Sequence, residues 1–243
     1  MFNWKKIMVL GTVIASLFMT SVSAQAAEFA ETDYVKISSY TETMKPTENM
    51  DGILSIAVEG EVGEDGYLYI IESVKGMELT GDISGENLGG DLEAIKVGSV
   101  NYYRVKAADE SAPVSVNAEF TCAKFYAPTP KADTNGGNTL PISYKFVNSL
   151  ESAIGKYSIQ IFVPEGYQIV KVTTPSAYAD YILDEVDGMR SVGLAGSVKA
   201  GATSTVAFTF NPEHSTMQNT IVWVVCLGVG LAVLVDRVKK ARK

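Results

Sequence analysis

PVSVNAEFTCAKFY, residues 113–126, alternates in character along its length. Val114, Val116, Ala118, Phe120 and Cys122 fall on one side of a period of two, with Lys124 continuing the series. Ser115, Asn117, Glu119 and Thr121 fall on the other. One face is apolar and one is polar, the pattern of a half-buried strand and not of a helix. Outward from it, runs rich in Val, Ile, Tyr, Phe and Thr recur about every ten to fifteen residues, separated by Gly, Asp, Asn and Pro. No long amphipathic helical pattern interrupts them.

Before residue 113, strands are expected near DYVKISSY (33–40), GILSIAVEG (52–60), GYLYIIESV (66–74), MELTG (77–81) and VNYYRVKAA (100–108). GEDG at Gly63–Gly66 reads as a turn between paired strands, and GDISGENLGGD (81–91) as a Gly-rich loop. Then APTPKADTNGGNTLP (127–141) breaks all periodicity with Pro128, Pro130, Gly136, Gly137 and Pro141. A domain boundary is placed there, with a long loop inside one sandwich as the alternative. Beyond it come ISYKFVNS (142–149), KYSIQIFVP (156–164), YQIVKVTTP (167–175), YADYILDEV (178–186), MRSVGLAG (189–196) and STVAFTFNP (204–212). In YSIQIFV, Tyr157, Ile159, Ile161 and Val163 face away from Ser158, Gln160 and Phe162.

The expected fold class is all-β: two Ig-like antiparallel β-sandwich domains, 27–126 and 140–212, with a linker at 127–139, plus a C-terminal single transmembrane helix. The Cys and Trp markers of antibody domains are absent.

The two ends predict the compartment. MFNWKKIMVLGTVIASLFMTSVSAQA (1–26) has Lys5 and Lys6, an apolar run from Ile7 to Met19, and small residues ending Ala24-Gln25-Ala26, the order of a secretory signal peptide. Cleavage is expected after Ala26, with an uncleaved anchor as the alternative. At the other end Ser215–Val235 carry no charge, and Ile221–Val235 are apolar all round with no polar stripe. About 20 such residues cross the roughly 30 Å hydrocarbon core. Arg237, Lys239, Lys240, Arg242 and Lys243 follow, which places that end in the cytoplasm. We therefore expect a linker at 213–219, one membrane span at 220–236 and a basic tail at 237–243, against a buried core helix. Neither a Cys at the cleavage site nor an LPxTG-like signal before the span offers a different anchor.

Between those ends lie all but one of the 28 acidic residues but only 13 of the 20 basic ones. So acidic a surface repels phosphate backbones, which excludes nucleic acid as a partner. Cys122 and Cys226 are expected in different phases, one in a strand and one in the span, so no intrachain disulfide is expected.

Catalytic chemistry finds little support. The single histidine, His214, sits in the juxtamembrane linker, away from any scaffold that would orient a base. One histidine and one aqueous cysteine do not make a transition-metal site, and no cofactor is expected. Asp184 and Asp187 in LDEVDGM are weak calcium candidates, followed by Glu64 and Asp65; none has EF-hand spacing. All 12 tyrosines lie between the hydrophobic ends, while Trp4 and Trp223 lie within them. Tyr67 with Tyr69, and Tyr178 with Tyr181, are the candidate binding pairs for a sugar or protein surface.

Asn148 closing its strand, VPEGYQIVKV (163–172) and VKAGATSTVAFTFNP (198–212) together give residues 139–212 an order that resembles the bacterial NEW3 and CARDB-type Ig-like domains. Ala200-Gly201 stands where those families commonly have Pro-Gly, and Tyr167 where Trp is common. The resemblance implies a spacer, adhesion or accessory module with no catalytic residues.

The function expected is a non-catalytic, single-pass bacterial cell-surface protein whose ectodomain presents a surface for adhesion or envelope assembly, with a protein or glycan partner outside the cell. The alternative is an accessory subunit of a membrane complex, and after it a carbohydrate-active hydrolase.

Overall fold

The computed structural model describes residues 35–127, 131–132 and 138–213. The signal peptide, the span at 220–236, the basic tail, His214 and Cys226 lie outside these residues, as does most of the linker. No helix among the described residues is long and apolar enough to cross a membrane.

The chain is all-β. The first half holds β1 (Lys36–Pro46), β2 (Gly52–Glu61), β3 (Tyr67–Ile71), β4 (Glu78–Leu79), β5 (Ser84–Glu86), β6 (Glu93–Val97), β7 (Val100–Lys106) and β8 (Val114–Cys122). After β9 (Lys131–Ala132) come β10 (Asn138–Val147), β11 (Ile154–Phe162), β12 (Tyr167–Thr174), a 3-10 turn (Tyr178–Asp180), β13 (Ile182–Val186), β14 (Met189–Val198) and β15 (Thr203–Pro212). Val114, Val116, Ala118, Phe120 and Cys122 are buried, as alternation requires. Lys124 is not part of that face. It lies in the turn after β8 with φ 55° and is exposed, because a period of two ends where the strand does.

Three sheets form. The largest runs β13-β14-β11-β1-β2-β8-β4, with β5 also on β8; the others are β12-β15-β10-β9 and β3-β7-β6. Two sequence readings change here. The Gly-rich 81–91 segment contains β5, whose Ser84–Glu86 pair with Ser115–Asn117. The segment read as a strand ending at Tyr40 continues to Pro46, antiparallel to β2 along its length.

The join between the halves decides the architecture. β1 and β11 pair in parallel from Ser39↔Lys156 to Met44↔Ile161, so strands from both sides of the 127–139 segment share one sheet. Parallel neighbours need a long crossover, and here the crossover is everything from β2 to β10. Two packed layers cover the sheet. Tyr103 of β7 meets Phe120 of β8 at 4.8 Å between ring centres, and Phe146 of β10 stacks on Tyr157 of β11 at 4.4 Å. The apolar side chains of both halves belong to one buried cluster. The 127–139 segment therefore does not divide the large sheet, although it does separate the strands that cover its two ends.

Phe162 also departs from its alternation. It lies on the outer face of β11 yet is 4% exposed, and the Lys45 ammonium sits 5.6 Å from its ring centre. The lysine's apolar stem shields the ring while its charge faces water.

Asn148 holds two loops together. Its amide donates to the carbonyls of Ser152 (2.9 Å) and Val198 (3.1 Å), and its side-chain oxygen accepts from Leu150 N–H at 3.1 Å. The backbone adds Asn148 N–H to Ala202 O and Gly201 N–H to Asn148 O, at 2.9 and 2.8 Å. The β10–β11 loop is thus pinned to the β14–β15 turn by a side chain with no exposure. Asn148→Ala leaves the buried Val198 carbonyl, the buried Leu150 N–H and the half-buried Ser152 carbonyl without this partner, and is expected to lower stability by about 2 to 3 kcal/mol in urea denaturation. A loss under about 0.5 kcal/mol would show that water replaces the amide.

Candidate functional site

The four candidate tyrosines meet different fates. Tyr67 and Tyr69 lie two apart on β3, on the same side of the strand, but only Tyr67 reaches the surface. Tyr69 is 1% exposed, packs edge-on against Tyr102 at 5.9 Å and donates its hydroxyl to the Asp65 carboxylate. Burial, reinforced by that carboxylate, pushes its pKa well up. The Tyr67 ring carries the Arg104 guanidinium 4.1 Å from its centre, and Arg104 is also paired with Glu93 at 3.1 Å. This pair is a strut and its cover, not a stacking surface.

The GEDG turn beside it is similarly occupied. Gly66 takes φ 76°, which a side chain would strain, and its N–H closes on Gly63 O at 3.0 Å. Asp65 caps Tyr67 N–H at 3.1 Å as well as accepting from Tyr69. That leaves Asp65 a turn former.

Tyr178 and Tyr181 do come together. Their rings meet edge to face at 5.3 Å and 76°, with Tyr178 72% exposed. The 3-10 turn Tyr178–Asp180 delivers them to the start of β13, the outer strand of the large sheet. All five β13 residues are exposed, with Ile182 at 57%, Leu183 at 46% and Val186 at 40%. Next to the pair opens a groove of about 600 Å³ lined by Tyr181, Ile182, Leu194, Lys199 and Thr203 among others.

Asp184 and Asp187 share this hairpin but do not converge with a third ligand. Asp184 accepts the N–H of Glu185 at 2.8 Å, and Asp187 occupies the turn with φ 53°. Among the described residues no group of three or more His, Cys, Asp or Glu side chains is placed to hold a metal. Glu185 is instead 3.6 Å from Arg190, which also pairs with Glu213. A second recess, about 450 Å³, lies on the outer face of the large sheet between β1, β2, β8 and the 80–84 strap, with Thr41, Thr43, Ser55 and Asn117 in its lining.

The group that sequence reading missed is Glu42. It has no exposure, yet it accepts hydroxyls from Ser73 at 2.7 Å and from Tyr157 at 2.7 Å. Tyr144 lies close enough to favour the ionised carboxylate, but its hydroxyl makes no hydrogen bond of ordinary geometry and is a buried polar atom left over. Burial raises the Glu42 pKa above the usual carboxylate range, and the three hydroxyls oppose that rise. Neighbouring Cys122 is 1% exposed, and burial with the Glu42 charge pushes its thiol up to about 12, so it is an inert core residue. The signal was present in YTETM (40–44), where Glu42 falls in period between Tyr40 and Met44. Glu42 itself lines neither the recess nor the groove, although Tyr157, which donates to it, lines the groove.

No family model matches the chain, and no curated protein matches it. Solved structures are similar at low identity. They include a protease described as putative from Parabacteroides distasonis ATCC 8503 (10% identity, TM-score 0.43, 72% of this chain and 40% of that one). Yeast LTA4 hydrolase in complex with bestatin (10%, 0.45, 71% and 30%) and the M1 zinc metallopeptidase from Deinococcus radiodurans (9%, 0.40, 72% and 42%) are two more. The chain spans less than half the length of each. At such scores these likenesses carry no argument about function.

Proposed function

We propose that this is a non-catalytic, membrane-anchored protein of a bacterial cell surface, whose β-sandwich ectodomain presents a binding surface for adhesion or envelope assembly. The observation that carries the reading is the uncharged 215–235 stretch followed by five basic residues in 237–243 against the single Asp236. The signal-like 1–26 segment agrees with it. Outside the membrane, the bare apolar edge of β13 beside the Tyr178–Tyr181 pair supplies a surface that a solitary soluble domain would ordinarily cover.

The finer fold reading is part of the same proposal. In 140–212, β10, β12 and β15 lie in one sheet and β11, β13 and β14 in another, the division an Ig-like sandwich needs. Asn148 pinning two loops supports the resemblance to NEW3 and CARDB-type domains.

The test is membrane fractionation followed by mild detergent extraction and pull-down on the full chain. Retention in the membrane until detergent is added, with residues 35–213 digested by external protease, is the expected result. Release by salt or carbonate alone would overturn the anchor. A stoichiometric membrane partner lost on exchanging 220–236 for an unrelated span would favour the accessory-subunit alternative.

A further inference from the structure

β14 is longer than the strand that covers it. It pairs with β11 as far as Val198, but with β13 only as far as Gly193. Leu194–Ser197 therefore present an outer edge with no strand beside it among the described residues. The groove of about 600 Å³ opens along this stretch, with Tyr181 and Ile182 at the β13 end. Gly196 lines it, and a Cβ built there meets nothing within 4 Å. At about 3.3 Å per residue, four uncovered positions give an edge of roughly 13 Å. None of them is Pro, Lys or another residue that guards an edge.

We propose that the Leu194–Ser197 edge of β14 accepts an extended segment of a partner protein as an added strand, in line with β13 and antiparallel to β14. This rests on the binding-surface reading above and names the occupant. Main-chain pairing supplies the attachment, and the lining selects the sequence. Leu194 and Tyr181, at the β13 end, call for an apolar or β-branched residue just before the last one. Asp180 lines the groove at the β13 end and Lys199 at the other, and neither forms an ion pair among the described residues. An antiparallel occupant begins near Lys199 and ends near Asp180, so it carries an acidic side chain first and a basic one last. A second copy offering its own edge strand, ILDEV, brings no cation to Asp180.

The probe is a fluorescent, end-blocked peptide, Glu-Val-Thr-Val-Ile-Lys, titrated with the full chain in detergent. Saturable binding is expected below about 1 mM, with slower amide exchange at Leu194–Ser197. Gly196→Phe puts a ring into open space and is expected to weaken binding at least ~tenfold while leaving the melting curve in place. Lys199→Glu, on an exposed turn, is expected to weaken the Glu-first peptide and to favour one that begins with Lys. No saturable binding, protection appearing elsewhere, or affinity indifferent to both variants would overturn the site. So would a concentration-dependent dimer abolished by Gly196→Phe, which would make the occupant a second copy. If a co-purified partner stays bound to the Gly196→Phe chain, this site falls and the surface reading stands. Loss of membrane retention removes that reading whatever the peptide does.

Discussion

Phe146→Ala is expected to lower the unfolding free energy by about 3 to 5 kcal/mol, the range for emptying a large aromatic site in a packed core. Phe146 has no exposure. It stacks on Tyr157 at 4.4 Å and 26°, and tilts against Tyr40 at 5.2 Å. Tyr40 is held in turn by Ile71, whose N–H it accepts at 3.2 Å. From β10 the ring therefore bears on β11 and β1, and through Tyr40 on the end of β3, so the surroundings cannot collapse onto one side without disturbing another. A hole at that place weakens the join of the two sequence halves.

The same variant distinguishes one cooperative unit from two. Because β1 and β11 share a ladder and the buried cluster draws on both halves, amides of β8 and of β15 should lose protection at the same, lowered urea concentration. Should β15 shift while β8 keeps its original midpoint, the halves unfold independently and the sheet join is energetically slight.

Most single strands were legible because period-two alternation depends only on which face is buried, and that is local information. Val114 to Cys122 shows this. What alternation cannot express is partner choice: nothing in the run Ser39–Met44 says that its neighbour lies more than a hundred residues away at Lys156–Ile161. Pro and Gly at 127–141 were read as a domain boundary because they interrupt pattern, yet an interruption in pattern is not an interruption in a sheet. Exposure of the tyrosines was equally beyond reach. Tyr69 and Tyr178 have the same propensity, and only packing buries the first and leaves the second bare. Glu42 was hidden by the rule that charge faces water, which fails wherever donors are supplied inside.

Removing those donors' common acceptor is the second large effect. Glu42→Ala strands the hydroxyls of Ser73 and Tyr157 beside that of Tyr144, which already makes no hydrogen bond of ordinary geometry. The expected cost is about 3 to 5 kcal/mol, from unsatisfied buried groups and the cavity together. Glu42→Gln keeps the shape and an acceptor oxygen but cannot ionise, so it is the reference for pH. In the native chain burial raises the Glu42 pKa, the hydroxyls of Tyr144, Tyr157 and Ser73 offsetting only part of the rise. A native state that holds the proton more tightly than the unfolded chain gains most from this group below the unfolded value of about 4.3, and loses that gain as pH climbs through the raised native value. Urea denaturation at a series of pH values should therefore show the parent chain losing ground against Glu42→Gln as pH rises, then levelling once the carboxylate is ionised. The opposite slope, with the parent gaining on the amide towards neutral pH, would mean that the hydroxyls outweigh burial and that Glu42 sits in the core as a stabilised anion.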